Sequence, residues 1–303
     1  MSKKILITGA TGFIGYHLVK KCLRLGWNVT GLSSKTSLQQ KRIKDVKYIK
    51  LDITDKKNFF KIRENFDYIV NLAGYVDHSN KKKTLKSHYI GCKNLANYFL
   101  KKKIKKFVQI GSCVEYGKLN SPQIEDEKNL QSTYSVYGKA KLLSTKYLLR
   151  LNKKKKFPAT ILRLYLVYGP NQDINRVIPI TIKNALLNKE FFCSEGIQLR
   201  DFTYIEDVIN AILKTLNDNK SNGQIINIGN SKPVKIKHLI DNIIKLVGSG
   251  KPIFGKIKMR KDEIMALYPN IDKAKKILNW TPKISLNTGL KRTIKYFKNE
   301  KLS

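Results

Sequence analysis

Short apolar runs alternating with segments of helical period organise the first half of this chain. Ile5, Leu6 and Ile7 form the first run, and a turn follows. Ile14, Leu18, Val19, Cys22 and Leu23 then recur on one helical face, with Gly26 placed to end the helix. Further apolar runs predict strands at 28–32, 48–51, 68–73, 105–110 and 159–164, with helices between them, notably over 85–100 and 133–151. Asp55 is placed to cap a helix that starts near Lys56. Strand–helix alternation of this kind predicts an α/β fold, a parallel sheet covered by helices on both faces. From Val167 the alternation loosens. Helices are expected at 176–187, 206–216, 236–247 and 286–297, and one further strand at 224–228. The expected division is residues 1–166 and a smaller, mostly helical lid over 167–303, of which approximately 200–229 return to the first part.

Chemistry enters at the first turn, which reads Gly9-Ala10-Thr11-Gly12-Phe13-Ile14-Gly15. One glycine lets the chain reverse, one lets backbone approach a pyrophosphate, and one lets helix pack close to strand. The N–H groups and dipole of the new helix then suit a phosphate. The bland alternative is a tight turn with no ligand; its place after the first strand favours a nucleotide site. The fold is thus expected to be a Rossmann-type doubly wound sheet, with 1–166 as its NAD(P)-binding domain and the lid binding substrate. At the end of the second strand an acidic residue would bind the ribose of NAD, but the chain reads Gly31-Leu32-Ser33-Ser34-Lys35. Ser33 and Lys35 suit a 2′-phosphate, which favours NADP(H) over NAD(H). The alternative is that Lys35 is one more solvated lysine and either cofactor serves. Asp52 and Ile53 stand where a strand end meets an adenine. Ala73 and Gly74 are small enough to let backbone lie against a cofactor.

Composition changes the picture only modestly. With 303 residues and 42% hydrophobic positions the chain can bury a real core, in one large domain or two small ones. No apolar run approaches the ~20 residues of a membrane span. Met1-Ser2-Lys3-Lys4 leads straight into a strand and leaves no room for a signal peptide, so the cytoplasm is the expected compartment. Cys22, Cys92, Cys113 and Cys193 lack metal-ligand spacing and are expected to be reduced thiols. The net charge of +38 raises the question of a nucleic-acid partner. The excess is mostly lysine and spread along the chain, as in 101–103, 105–106 and 153–156, which suits solvated helix faces. No nucleic-acid partner and no metal are expected.

A second cluster of chemistry lies at the end of the fifth strand, in Gly111-Ser112-Cys113-Val114-Glu115-Tyr116-Gly117. Some twenty residues on comes Tyr134-Ser135-Val136-Tyr137-Gly138-Lys139-Ala140-Lys141. Tyr137 and Lys141 are four apart, on one face of a helix. A phenol has a reference pKa of about 10, and a neighbouring ammonium favours its phenolate. Ser112 is placed to hydrogen-bond the same substrate oxygen. In so lysine-rich a chain such a pair arises by chance, and Tyr134 and Lys139 are decoys. The order of parts singles out Tyr137 and Lys141: glycine turn, serine at a strand end, then this pair opening a long helix.

With these parts in place, the chain resembles an extended short-chain dehydrogenase/reductase of the NAD-dependent epimerase/dehydratase family, enzymes acting on nucleotide-activated sugars. The likeness covers essentially the whole chain. Its later marks include Arg163, Tyr168-Gly169-Pro170, Arg200-Asp201-Phe202-Thr203-Tyr204, Asp207 and Leu278-Asn279-Trp280-Thr281-Pro282. The resemblance implies Tyr137 as acid/base, Lys141 on the nicotinamide ribose and Ser112 on the sugar oxygen. It implies Arg200 and Arg260 on the diphosphate of a nucleotide-diphosphate sugar, a task suited to a forked guanidinium. The alternative for Arg200 is an ion pair with Asp201 or Glu206. Asp77, His78, Val114 and Arg176 complete the implied sugar pocket, although His78 also fits a loop residue without chemistry. A homodimer formed through the helices over 85–100 and 133–151 is implied as well.

Departures from the family pattern narrow the reaction. Cys113-Val114 stands where 4,6-dehydratases carry an Asp-Glu pair, which argues against elimination of water. Leu166 and His88 each stand where an asparagine is common in the family. Glu115-Tyr116-Gly117 resembles the form in 4-keto-6-deoxy-sugar reductases. The expectation is therefore NADPH-dependent reduction at C4 of such a sugar nucleotide. The alternatives are a UDP-glucose 4-epimerase-like reaction and, more remotely, a non-catalytic nucleotide- or RNA-binding relative.

Overall fold

The computed structural model describes residues 2–34, 42–75, 77, 79–126, 133, 135–260 and 263–300. Lys35, His78 and Tyr134 lie outside the described residues. Seven parallel strands form the central sheet: β1 (Lys4–Thr8), β2 (Asn28–Ser33), β3 (Lys47–Lys50), β4 (Tyr68–Asn71), β5 (Lys106–Ser112), β6 (Ala159–Leu164) and β7 (Ile225–Ile228). Their spatial order is β7-β6-β5-β4-β1-β2-β3, with the strand order reversing beside β1. In such a sheet ligands bind at the carboxyl ends, near that reversal. The register fixes those ends: Thr8 lies opposite Leu32 and Asn71, and Ser112 opposite Leu164.

The continuous apolar runs are explained by burial on both faces. All six residues of β6 and all four of β4 are buried, whereas edge strand β3 is partly exposed. Alternate side chains feed two cores. Ile5, Ile7, Val70, Val108 and Leu162 pack on one face, with Leu18 and Val19 of α1 (Phe13–Arg24). Leu6, Ile69, Phe107 and Ile161 pack on the other, with Leu95 and Phe99 of α3 (Gly91–Leu100). Among the described residues the further α-helices are α2 (Lys81–Leu85), α4 (Val136–Lys155), α5 (Val177–Leu186), α6 (Ile205–Leu216), α7 (Ile236–Val247), α8 (Asp272–Leu278) and α9 (Leu286–Asn299). Asp207 of α6 ties down the C-terminal segment, accepting hydrogen bonds from Lys283 N and Ile284 N at 3.0 and 2.9 Å. Its carbonyl takes the indole N–H of fully buried Trp280 at 3.0 Å.

Two local expectations are corrected. The segment over 85–100 is not one α-helix: a π-helical turn, Lys86–Ile90, separates α2 from α3. An apolar pattern does not distinguish such a widened turn from regular helix.

The second correction concerns Lys106, which is not solvated. It opens β5 fully buried, and its Nζ donates to Asn222 Oδ1 (2.6 Å), Ser221 Oγ (2.9 Å) and Thr160 Oγ1 (3.3 Å). All three partners are neutral, and burial pushes its pKa down to about 8. The unfolded chain binds the proton up to the ordinary value of 10.5, so Lys106 makes stability rise with pH between about 8 and 10.5. Lys106→Met should lack this rise. Between pH 7.5 and 9.5 its urea-unfolding free energy is expected to change relative to the parent by about 1–2 kcal/mol, with the parent gaining.

Candidate active site

The glycine turn is built as its sequence requires. Gly9 has φ +65°, and its N–H donates to Leu32 O at 3.0 Å, tying the turn to β2. A Cβ on Gly15 would stand 2.2 Å from Gly9 O and 2.8 Å from Ala10 Cα, so only glycine lets α1 approach the strand this closely. Gly12 is exposed and is the N-cap of α1; no side chain caps the helix and no acidic residue lies in its first turn. The helix N–H groups and dipole therefore face an open cradle whose floor is backbone. Thr11, Phe13 and Ile14 form its wall, partly exposed.

Ser33 closes β2, partly exposed. Asp52 lies just past β3, where its carboxylate accepts Thr54 N at 2.8 Å, and Ile53 is buried against Gly91 of α3. Beyond β4, the N–H groups of Leu72 and Ala73 donate to the Thr8 hydroxyl at 3.1 and 3.0 Å, and Gly74 is exposed. These strand ends all lie on the cradle's side of the sheet. A nicotinamide dinucleotide fits here: its pyrophosphate would sit on the α1 N-terminus, with Ser33 and Asp52 toward the adenosine half and Ala73 and Gly74 along the backbone.

Ser112, Tyr137 and Lys141 meet at the neighbouring strand end. Ser112 ends β5 and caps the 3-10 turn Cys113–Tyr116. Ser135 caps α4, its hydroxyl accepting Gly138 N at 2.9 Å, which sets Tyr137 in the first turn. Gly138 allows the close approach, since a Cβ there would lie 2.9 Å from Val114 O. The Ser112 side chain lies near enough to the Tyr137 phenol to favour its phenolate.

The electrostatics differ from expectation. Burial pushes the Tyr137 phenol up to about 12, opposed by the Ser112 side chain and by the charge of Arg176. The Lys141 ammonium sits 5.9 Å from the centre of the tyrosine ring and donates to Ile110 O at 2.6 Å. Burial pulls its own pKa down, and the charge of Glu115 resists. His88, from the π-helical turn, sets its ring edge-on to Tyr137 with centroids 4.9 Å apart.

The sugar-pocket candidates divide. Arg176 is the exposed N-cap of α5, and its charge reaches Tyr137. Val114 is half-buried in the 3-10 turn. Asp77 is exposed; its carboxylate accepts Ser79 N at 3.0 Å and the Tyr75 hydroxyl at 3.4 Å. Arg200 is buried beside Cys113; burial pushes that thiol up to about 12, and the Arg200 charge opposes the rise. It pairs with neither Asp201 nor Glu206. Its guanidinium meets Glu263 and donates to Leu199 O at 2.8 Å. Asp201 instead accepts Asn230 N at 2.7 Å, and Glu206 pairs with Arg292 at 2.9 Å. Arg260 is exposed, and its carbonyl accepts Glu263 N at 3.1 Å.

Sequence reasoning missed Glu263, and it missed the buried group around Glu115. The spacing Ser112-x-x-Glu115 is a capping-box signature and would have flagged Glu115. Nothing local flags Glu263.

A phosphate-cradling glycine turn, seven parallel strands and a tyrosine–lysine helix beside a strand-end serine define a nicotinamide-dependent short-chain dehydrogenase/reductase. The model of the "NAD dependent epimerase/dehydratase family" matches residues 5–229, and the chain belongs to that family of enzymes. It is 29% identical to a UDP-N-acetyl-alpha-D-glucosaminuronate decarboxylase of Bacillus cytotoxicus, over 98% of each chain. It is 28% identical to the CDP-abequose synthase of Salmonella muenchen, over 97% of this chain and 98% of that one. Among solved structures, the UDP-glucose 4-epimerase of Thermotoga maritima, with UDP-glucose, superposes with a TM-score of 0.90 at 27% identity, covering 98% of this chain and 99% of that one. No helix among the described residues is long and apolar enough to cross a membrane.

Proposed function

We propose that this protein reduces the 4-keto group of a 4-keto-6-deoxy-sugar nucleotide, using NADPH. The observation that carries the proposal is the meeting of Ser112, Tyr137 and Lys141 at the end of β5, next to Cys113-Val114, where no acid–base pair for elimination stands. A phenol raised to about 12 keeps its proton at neutral pH, and reduction needs an acid at O4. The absence of an acid–base pair at Cys113-Val114 removes dehydration, and the lack of a carboxylate at Ser33 supports NADPH.

Bound NADPH supplies the hydride that reduces C4. Tyr137 gives its proton to O4, and Ser112 hydrogen-bonds that oxygen, holding the carbonyl against the phenol. Arg176 and the Lys141 ammonium then favour the phenolate that remains. Arg200 and Arg260 grip the diphosphate, with the sugar diphosphate taking over Arg200 from Glu263, so remote binding energy positions the reacting carbon. Assembly as a homodimer through α3 and α4 belongs to the same proposal and rests on the family resemblance.

Arg200→Lys would keep the charge and lose the fork. It is expected to raise the KM for sugar nucleotide about tenfold, with kcat changed less. An unchanged KM would remove Arg200 from the diphosphate site.

A second reading, 4-epimerisation, is favoured by the TM-score of 0.90 to a UDP-glucose 4-epimerase. Incubation with NADPH or NADH and a panel of dTDP-, CDP-, GDP- and UDP-linked 4-keto-6-deoxyglucose separates the two. The reductase oxidises NADPH faster than NADH on at least one member. Interconversion of UDP-hexoses without net cofactor oxidation would favour the epimerase.

A further inference from the structure

Beneath the reacting groups lies a carboxylate that the mechanism above does not use. Glu115 is fully buried in the turn that follows Ser112. Its Oε1 accepts the Ser112 backbone N–H at 2.8 Å, while the Ser112 hydroxyl accepts the backbone N–H of Glu115. Its Oε2 accepts Arg163 Nε and Nη2 from β6 at 3.1 and 3.0 Å. The same oxygen accepts the Thr145 hydroxyl of α4 at 2.7 Å. Gly111 makes room, since a Cβ there would stand 2.5 Å from Glu115 Oε1.

Tyr137, Lys141 and Thr145 are spaced four apart, so they share one stripe of α4. Lys141 reaches Ile110 O and Thr145 reaches Glu115, so two successive turns of that stripe are tied to β5 and its end. These ties fix both the rotation and the axial position of α4 relative to Ser112. A buried ion pair is a poor source of net stability compared with apolar packing. Fixing several donors at once in one geometry is what a fully satisfied buried carboxylate does well.

We propose that Glu115 is a positioning residue for proton transfer, clamping the strand end that carries Ser112 to the face of α4 that carries Tyr137 and Lys141. This rests on the assignment of those three residues to proton transfer and applies to reduction and epimerisation alike. Glu115 has an electrostatic consequence too. Around Lys141 stand Ile110 O, Glu115, Cys92 of α3 and the Tyr137 ring; Glu115 is the foremost influence resisting loss of the ammonium charge. Around Tyr137 stand Ser112, Cys113, Glu115, Arg176 and the His88 ring.

The test uses the full-length protein with whichever member of the 4-keto-6-deoxyglucose nucleotide panel, or of a UDP-hexose pair, the parent turns over. Thr145→Val removes one hydroxyl and keeps the buried ion pair. It is expected to lower kcat about tenfold, with NADPH affinity by fluorescence and the substrate KM within about twofold of the parent. Glu115→Gln is expected to move the alkaline limb of the kcat profile to lower pH by about one unit, because Lys141 and Tyr137 both then lose their protons sooner. A Thr145→Val kcat within about threefold of the parent overturns the proposal, whatever happens to the melting temperature. So does a folded Glu115→Gln with an unmoved alkaline limb. If Glu115→Gln does not fold, Thr145→Val decides alone. Tyr137→Phe run in parallel keeps the two claims apart. Full activity in Tyr137→Phe sinks the catalytic assignment; an inactive Tyr137→Phe beside a near-normal Thr145→Val sinks the positioning role only.

Discussion

Tyr137→Phe is expected to lower kcat about 10³-fold while leaving NADPH affinity within about twofold. The substitution deletes one oxygen from a ring whose place is fixed by α4 and by the edge of His88. The cofactor cradle at Gly9, Gly12 and Gly15 is on another strand end and is untouched. The lost factor is proton donation to O4, so the deficit should appear in kcat and not in cofactor binding. Steady-state kinetics with NADPH fluorescence titration checks both halves. Equal losses in kcat and in NADPH affinity would place Tyr137 in binding instead.

Gly15→Ala is the second large effect. The added Cβ would fall 2.2 Å from Gly9 O and 2.8 Å from Ala10 Cα, and both contacts are backbone. Neither can move aside as a side chain would, so α1 must shift off the turn. Overpacking of this kind costs about 1–3 kcal/mol, and the shift falls on the N–H groups that face the pyrophosphate. NADPH binding should weaken about 10–100-fold, with the far-ultraviolet circular dichroism of the parent retained. Parent-like affinity in Gly15→Ala would show that the cofactor does not sit on this turn.

How much of this was legible in the sequence depends on how far apart the interacting residues lie. The glycine turn was fully legible, because its strand, its glycines and its helix are contiguous. Ser112, Tyr137 and Lys141 were legible from spacing and from the order of parts. The clamp beneath them was legible only at its local end, Ser112 with Glu115. Its other partners, Thr145 and Arg163, lie 30 and 48 residues from Glu115, and no periodicity links them. Lys106 was hidden in plain view, since in a lysine-rich chain a buried ammonium looks like any other. Its three neutral partners come from β6 and from residues more than a hundred positions away. The pairing of Arg200 with Glu263, 63 residues on, is a matter of tertiary approach. The short strand pair Phe202–Tyr204 and Leu166–Tyr168 is only three residues long on each side, too brief for an alternating pattern.

The elevated Tyr137 phenol alters how the tyrosine–lysine pair works. Spacing alone suggested that the ammonium would hold a phenolate in readiness. In the fold Lys141 is committed to Ile110 O, and burial governs the phenol.

Incubation with NADPH deuterated at the transferable position and a 4-keto-6-deoxyglucose nucleotide tests the central claim most directly. The account predicts a product carrying one deuterium at C4 for each NADPH oxidised, read by proton NMR and by absorbance. UDP-hexoses epimerised at C4, with no NADPH consumed and no 4-keto substrate reduced, would contradict it.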